Sequence, residues 1–320
     1  MAEIGTDINK ALRILREGGL VAIPTETVYG LAADGTHAEA VARIFEVKNR
    51  PHFDPLILHL FDDQQVNKFC RDIPEDFHRL YEQFSPGPLT FILKKTERVP
   101  DLVTAGMETV AIRFPHHDLT RKVLGESGLA LAAPSANPFG YISPTTAAHV
   151  EEQLGESLDY ILDGGACRIG VESTIVDLSS AKPRILRIGG ISADDIARVL
   201  GREVPVKKES EDNPVAPGML ASHYAPAKPL VIGKVEELLE KFPRQRAAII
   251  SLKTIYPQVP ARHQRLLSPK GDLKEAASHL FAVMRQLDKV EVDMIFAENF
   301  PDEGLGKAIN DRLERAAAQR

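Results

Sequence analysis

The sequence predicts an α/β protein in two units. Three observations carry that expectation. Short apolar runs of strand length alternate with segments of helical period through the first two thirds of the chain. The stretch from Pro205 to Pro229 is rich in proline, mixes charges and has no sustained periodicity, so it reads as an extended connection. Beyond it the alternation of β-rich runs and helical segments resumes. The chain's 320 residues also exceed the roughly 100 to 200 typical of one domain. The expected division is 1–204, a linker over 205–229, and 230–320.

Taken in order, Asp7 to Glu17 reads as a helix closed by Gly18 and Gly19, and Leu20 to Ile23 as a strand. Thr36 is placed to cap a helix running to about Val47. Pro55 to Leu60, Thr109 to Phe114 and Gly128 to Ala133 read as buried strands. At Ser143-Pro144 a serine oxygen could accept an orphan N–H while proline fills the first helical position, so a helix is expected to start there. Ser192 with Asp195 repeats the capping logic. After the linker, Pro229 to Gly233, Ala247 to Leu252 and Val292 to Ala297 read as strands. Asp272 to Lys289 reads as a helix whose Leu273, Ala277, Leu280, Met284 and Leu287 share a core-facing stripe. No internal repeat of fixed period is present.

Composition sets limits on function. With 43% hydrophobic and 26% charged residues the chain can bury a core behind a solvated surface. It has no run of about 18 apolar residues, and Met1 to Lys10 lacks a basic and then apolar leader, so a cytoplasmic protein without a membrane span is expected. Cys70 and Cys167 have no CxxC spacing, which argues against a thiolate zinc site or a disulfide scaffold; both read as buried thiols. Formal net charge is -6, and the residues through Val204 carry 21 basic against 29 acidic side chains. Attachment to phosphate backbones normally needs a basic excess, so tight direct nucleic-acid binding is not expected.

The polar residues that resist a purely structural reading lie in the first unit. Pro24 to Leu31 packs two hydroxyls, a carboxylate and a phenol into one turn, readable as a ligand loop or as a capped turn before a helix. Lys48 and Arg50 sit at a predicted helix end, where cations are favoured by the helix dipole even without a ligand. Asp54 and His59 flank an apolar run, and a lone histidine is more often structural. Arg113 lies at an apolar strand, where a cation is expensive unless it is paired or holds an anion. The turns Ala133 to Asn137 with Ser143, and Gly170 to Thr174, resemble strand-end ligand loops. Arg187, before a Gly-Gly pair, could give bidentate phosphate contacts. Walker and GxGxxG fingerprints are absent, Gly304-Leu305-Gly306-Lys307 lacks the required spacing, and neither HExxH nor GxSxG occurs. The residues alone thus lead to an enzyme of small anions or phosphates.

Six segments in order, PTETVYGLA, KNRPHFDPLILH, SPGPLTFIL, TVAIRFP, APSANPFG and GVESTIVDL, resemble the threonylcarbamoyl-AMP synthase family of Sua5/YrdC/YwlC proteins. APGMLASHYAP and GLGKAINDRLERAA resemble its longer, two-domain Sua5 form. The resemblance implies a YrdC-like catalytic domain, a twisted sheet around a concave site, followed by a linker acting as a lid and a smaller Rossmann-like domain. It implies that L-threonine, bicarbonate or CO2, and ATP with its Mg2+ give threonylcarbamoyl-AMP and pyrophosphate, without an organic cofactor. A tRNA threonylcarbamoyl transferase machinery would use the product for t6A modification of tRNA. Matched by motif, Thr27, His59, Arg113, the backbone of Ala133, and Ser173 would bind threonine. Arg50, Asp54, Thr109, Ser135, Ser143, Arg187 and Tyr224 would contact ATP, with Lys48 and Arg50 neutralising phosphate charge and no protein nucleophile. Two alternatives stay open at this point: a double-stranded RNA or tRNA binder of the same fold, and a carbamoyl- or acyl-phosphate transferase.

Overall fold

The computed structural model describes residues 1–207, 216, 218, 219, 222–243 and 245–318. The remaining positions of the expected linker, 208–215, 217, 220 and 221, lie outside the described residues. Two compact units result. The first comprises Met1–Phe139, Pro144–Arg168 and Glu172–Leu220; the second comprises Gly140–Ser143, Ile169–Val171 and Ala221–Arg320. Among the described residues no helix is long and apolar enough to cross a membrane.

In the first unit β1 (Glu3–Gly5), α1 (Ile8–Arg16), β2 (Val21–Ile23), β3 (Gly30–Asp34), α2 (Ala38–Lys48) and β4 (Ile57–His59) come first. Next are α3 (Val66–Phe69), β5 (Cys70–Arg71), α4 (Glu75–Phe84), β6 (Leu89–Lys95), α5 (Asp101–Thr104) and β7 (Thr109–Arg113). The unit continues through α6 (Asp118–Ser127), β8 (Leu131–Ala132), α7 (Ala147–Leu154), β9 (Tyr160–Leu162), β10 (Thr174–Asp177), β11 (Arg184–Arg187) and α8 (Ala193–Leu200). Their strands form one mixed sheet in the order β1-β9-β2-β3-β8-β4-β7-β6-β10-β11, with β5 against β6.

Local rules account for several element ends. The Asp7 carboxylate accepts the Lys10 N–H and starts α1, and Ser192 Oγ accepts the Asp195 N–H and starts α8. Two expected caps are corrected. Residue His37, not Thr36, precedes α2, because the Thr36 hydroxyl is turned onto the Asp34 carboxylate at 2.7 Å. No helix starts at Ser143-Pro144; α7 begins at Ala147, where the Thr146 side chain accepts the His149 N–H. The turn from Pro24 leads into a strand rather than a helix, since β3 folds back antiparallel on β2. Both cysteines are buried thiols.

The two faces of this sheet are packed differently. On one face Leu58, Phe91, Ile112 and Phe114 join Phe45 of α2, Phe77 and Leu80 of α4, and Ile196 and Leu200 of α8 in the main core. On the other face α1 and α6 cover only the half built from β2, β3, β8 and β9, through Leu12, Leu15, Val123 and Leu124. Over β4, β7, β6 and β10 that second face carries Ile57, Ala111, Ile92 and Ile175, and among the described residues the cluster they form draws on no helix. Ala216 and Met219, both buried, complete it.

The second unit has a four-stranded parallel sheet in the order β12 (Leu230–Ile232), β15 (Met294–Ala297), β13 (Ala247–Ser251), β14 (Gln264–Leu266). Helices α9 (Val235–Lys241), α10 (Leu273–Asp288) and α11 (Gly304–Ala317) accompany it, a Rossmann-like arrangement. Asp272 caps α10, and Ala277, Leu280, Met284 and Leu287 of the expected stripe are fully buried.

The main core under β6 and β7 contains an aromatic cluster. The Phe91 ring meets Phe77 edge-on at 4.9 Å, and Tyr81 meets Phe114 edge-on at 4.7 Å. Phe91→Ala is expected to lower unfolding stability by about 3–5 kcal/mol. A urea titration reads this as an earlier midpoint at unchanged slope; a midpoint equal to wild type would contradict a close-packed cluster.

Candidate active site

A row of polar residues crosses the open half of the sheet because pairing sets them side by side. His59 of β4 is opposite Arg113 of β7, Arg113 is opposite Thr90 of β6, and Thr90 is opposite Ile175 of β10, itself paired with Arg187 of β11. Cross-strand neighbours project to the same face. The apolar patch of Ile57, Ala111 and Ile92 lies two residues back along the same strands, on the same face.

At one end of the row is a neutral pocket. Arg113 Nη2 is 2.7 Å from Glu26 Oε1, and both side chains are at least nine-tenths buried. The other oxygen of Glu26 accepts the His116 backbone N–H at 3.0 Å. Arg113 Nε has no hydrogen-bond partner among the described residues, which leaves a buried donor for a carboxylate. Burial, and after it the neighbouring Arg113 cation, pushes the His59 imidazole down to about 3. Cys167 is close enough to feel both Glu26 and Arg113, and burial pushes its thiol up to about 12. Thr25 Oγ1 donates to the Val28 carbonyl at 2.6 Å and lies 2.8 Å from Thr27 Oγ1, so the hydroxyl of Thr27 is held by its own turn. The Ala133 N–H donates to the Ile57 carbonyl at 3.1 Å.

At the other end is a group of cations. Helix α2 stops at Asn49, whose φ of 49° is left-handed, and the chain turns so that Lys48 and Arg50 are both buried. Lys48 Nζ donates to the Ser135 carbonyl at 2.5 Å and to the Asn137 carbonyl, pinning the loop after β8. Burial first, and the Arg50 charge next, hold the Lys48 amine well below the ordinary lysine range. Arg50 pairs with Asp54 at 2.9 Å, donates to the Asp54 and Pro55 carbonyls, and lies over the Phe139 ring at 5.9 Å. Burial raises the Asp54 carboxyl, while Arg50, Lys48 and Arg187 pull it back, so all three cations converge on one carboxylate.

The two ends touch through Ser173. Its Oγ is 2.7 Å from Thr90 Oγ1 and accepts from Arg187 Nη2 at 3.1 Å, while Arg187 Nε donates to the Ser173 carbonyl at 3.0 Å. Thr109 shares the face of Arg113 but starts β7, about 13 Å away along the strand. Ser143 and Tyr224 belong to the second unit. There the Ser143 carbonyl accepts from Arg285, and Tyr224 stacks on Phe281 at 5.4 Å beneath the Arg312 guanidinium.

Sequence reasoning singled out Arg113 without its counter-ion. The signal for Glu26 was present, a carboxylate between two threonines in an otherwise apolar stretch, but nothing in the sequence tied that turn to β7. Thr90 and Met219 were not singled out for the site, since each looks like an ordinary core position. A separate depression of about 920 Å3 is lined by Lys68, Arg71, Lys95, Arg98, Asp101 and Glu108, among others. Its Lys95 pairs with Asp101 and its Arg71 with Glu108, so those opposite charges satisfy one another.

A neutral pocket with a spare guanidinium donor, joined through shared hydroxyls to a three-cation cluster, defines an α/β enzyme for small anionic ligands. Comparison with known proteins narrows the class. Residues 13–189 match the Sua5/YciO/YrdC family described as "Telomere recombination", and residues 191–318 match "Threonylcarbamoyl-AMP synthase, C-terminal domain". The chain is 39% identical to the threonylcarbamoyl-AMP synthase of Pyrococcus abyssi over 98% of its length and 94% of that protein. It is 40% identical to that of Bacillus subtilis over 98% of its length and 93% of the relative. The crystal structure of P. abyssi Sua5 complexed with L-threonine superposes with a TM-score of 0.93 at 38% identity, covering 99% of this chain and 97% of that one. This chain belongs to the threonylcarbamoyl-AMP synthase family.

His59 makes the buried pocket sensitive to acid. The folded protein keeps it neutral down to about pH 3, whereas an unfolded chain takes up a proton near its ordinary value of 6.5. Between those limits the unfolded state binds more protons. Stability is therefore expected to fall as pH drops from 6.5 toward 3, by up to about 1.4 kcal/mol per pH unit from this residue. His59→Gln should flatten that part of the curve in denaturant titrations at pH 6, 5 and 4; an unchanged slope would exclude His59 as its source.

Proposed function

We propose that this chain catalyses the synthesis of threonylcarbamoyl-AMP from L-threonine, bicarbonate and ATP, with Thr27, His59, Arg113, Ala133 and Ser173 around the amino acid. Arg50, Asp54, Thr109, Ser135 and Arg187 would then surround the nucleotide, which arrives as its magnesium complex. The observation that carries the reading is the contact between the two ends of the polar row. Ser173 is bonded at once to Thr90, beside Arg113, and to Arg187, one of the three cations around Asp54. An amino acid and a triphosphate bound at those ends would be neighbours.

The chemistry follows from that adjacency. The threonine amine, once deprotonated, adds to CO2 derived from bicarbonate; the new N–C bond forms as a second N–H proton is released to water, and a carbamate anion results. A carbamate oxygen attacks the α-phosphorus of ATP, forming the new O–P bond as the bond to the β-phosphate oxygen breaks and pyrophosphate leaves. No bond to the protein is needed. The contribution of the site is to hold two anions together and to offset charge on the departing pyrophosphate. Lys48 is well suited to the second task, since its amine is fixed by two carbonyls before any ligand arrives. Met219 and Ala216, covering the apolar strip beside the row, would help exclude water from an adenylate prone to hydrolysis. A tRNA-modifying transferase would consume the product, and a cytoplasmic location belongs to the same proposal.

The test is pyrophosphate release with ATP, magnesium, bicarbonate and L-threonine, each omitted in turn. Dependence on both threonine and bicarbonate is expected. Release independent of either would overturn the reading, and a steeply salt-dependent affinity for tRNA without any release would favour an RNA-binding protein instead. Within that assay Arg113→Ala should raise the threonine KM roughly 100-fold, as loss of one charged hydrogen-bonding group worth up to about 3 kcal/mol implies. The KM for ATP should move only a few-fold. Unchanged threonine kinetics would remove Arg113 from the amino-acid pocket.

A further inference from the structure

We propose that Glu26 sets a charge rule for the amino-acid pocket: by cancelling Arg113, it makes the site accept a carboxylate only when a cationic amine accompanies it. The inference rests on the reading of this pocket as the threonine site.

The geometry supplies the steps. Arg113 and Glu26 face each other at 2.7 Å, with side-chain exposures of 5% and 1%. A guanidinium buried alone would attract any carboxylate strongly, because little water screens it. Paired with Glu26 it offers direction without net charge. Two ionisable groups beside the pair add no charge near neutral pH: His59 is held neutral by burial and by Arg113, and burial keeps the Cys167 thiol protonated. A simple carboxylate entering this pocket would therefore leave one uncompensated negative charge in a buried place. A zwitterion leaves none. Glu26 itself cannot swing out of the balance easily, since the His116 N–H anchors its second oxygen.

Glu26 thus acts on the ligand through Arg113, as a specificity-determining and positioning residue. It also bears on the order of events. An amino acid admitted as a zwitterion must lose an ammonium proton before its amine can add to CO2. The carbamate that results carries two negative charges against a neutral pair, and the nearest compensation is the cation cluster reached through Ser173 and Arg187.

The test compares L-threonine with 3-hydroxybutanoate, which is threonine without its α-amine, by calorimetric titration of the full chain. Wild type should prefer threonine. In Glu26→Gln, which keeps an acceptor for the His116 N–H but removes the charge, the preference should shrink by at least about tenfold, the scale of one charge-assisted contact. Glu26→Asp should restore it, and ATP affinity serves as the folding control. A preference unchanged in a Glu26→Gln variant that still binds threonine would falsify the proposal. Should that variant fail to fold, the wild type decides, because binding of both ligands within about twofold contradicts the charge rule. Failure of the underlying reading looks different: wild type then binds no threonine at all.

Discussion

A cation taken out of water must be answered by an anion, and in this protein that constraint ties the β2–β3 turn to the centre of the sheet. Glu26 sits in the turn and Arg113 at the end of β7, far apart in sequence and 2.7 Å apart in the fold. Breaking such a buried pair leaves a charge uncompensated, a penalty of about 3–5 kcal/mol, so the turn is held against the sheet as long as the pair survives. Its neighbours depend on that. Thr25 and Thr27 are ordered by hydrogen bonds inside the same turn, and Tyr29 beyond it donates to the Gly165 carbonyl at 2.8 Å. Thr120 on α6 donates to the Pro24 carbonyl. The pocket's polarity and the local architecture are therefore one arrangement.

The same constraint is met differently at the other end of the row. Lys48, Arg50 and Arg187 act on a single carboxylate, Asp54, and backbone carbonyls of Ser135, Asn137, Pro55 and Ser173 take part of the load. Carbonyl dipoles solvate a cation without neutralising it. The cluster thus keeps positive character that a polyphosphate can use, which the Glu26–Arg113 pair does not. This also reconciles a net charge of -6 with anionic substrates: the acidic excess belongs to the chain as a whole, whereas the cations that matter are buried and converge. Whole-chain charge argues about encounter with large polyanions and says little about a pocket.

What the sequence revealed follows the range of the physics involved. The cap at Ser192 is a contact within three residues, and it was readable. The cap expected at Thr36 satisfied the same rule but lost to a competitor the rule does not see, the Asp34 carboxylate, while the helix expected at Ser143 begins at Ala147 instead. Strand runs were found around β4, at Pro55–Leu60, and around β7, at Thr109–Phe114, whereas the largely apolar β6 and β10 were not read as strands. Strands β1, β9 and β11 escaped because they are short or edge-like, with polar residues among them. At the site, individual residues could be suspected but their pairing could not. Arg113 looked anomalous because a strand-end cation is costly, yet Glu26 as its partner and Thr90 as its neighbour depend on register between strands distant in sequence. The order and function of the whole were legible through family resemblance.

In the second unit the same logic is applied to an aromatic residue. Tyr224 has a φ of 63°, a left-handed conformation that costs a β-carbon residue about 1–2 kcal/mol and so needs compensation. Its ring stacks on Phe281 with planes 30° apart, and the Arg312 guanidinium lies 5.2 Å from its centre. Arg312 is itself fully buried and paired with Asp311. Desolvated cation–π contacts of this kind are worth about 2 kcal/mol, enough to offset the backbone strain. The stack holds the ring in one orientation at the expense of backbone freedom. Arg312 in turn gains an aromatic face to share its burial. Tyr224 is consequently a fixed part of its own unit, held there through its ring by Phe281 and Arg312.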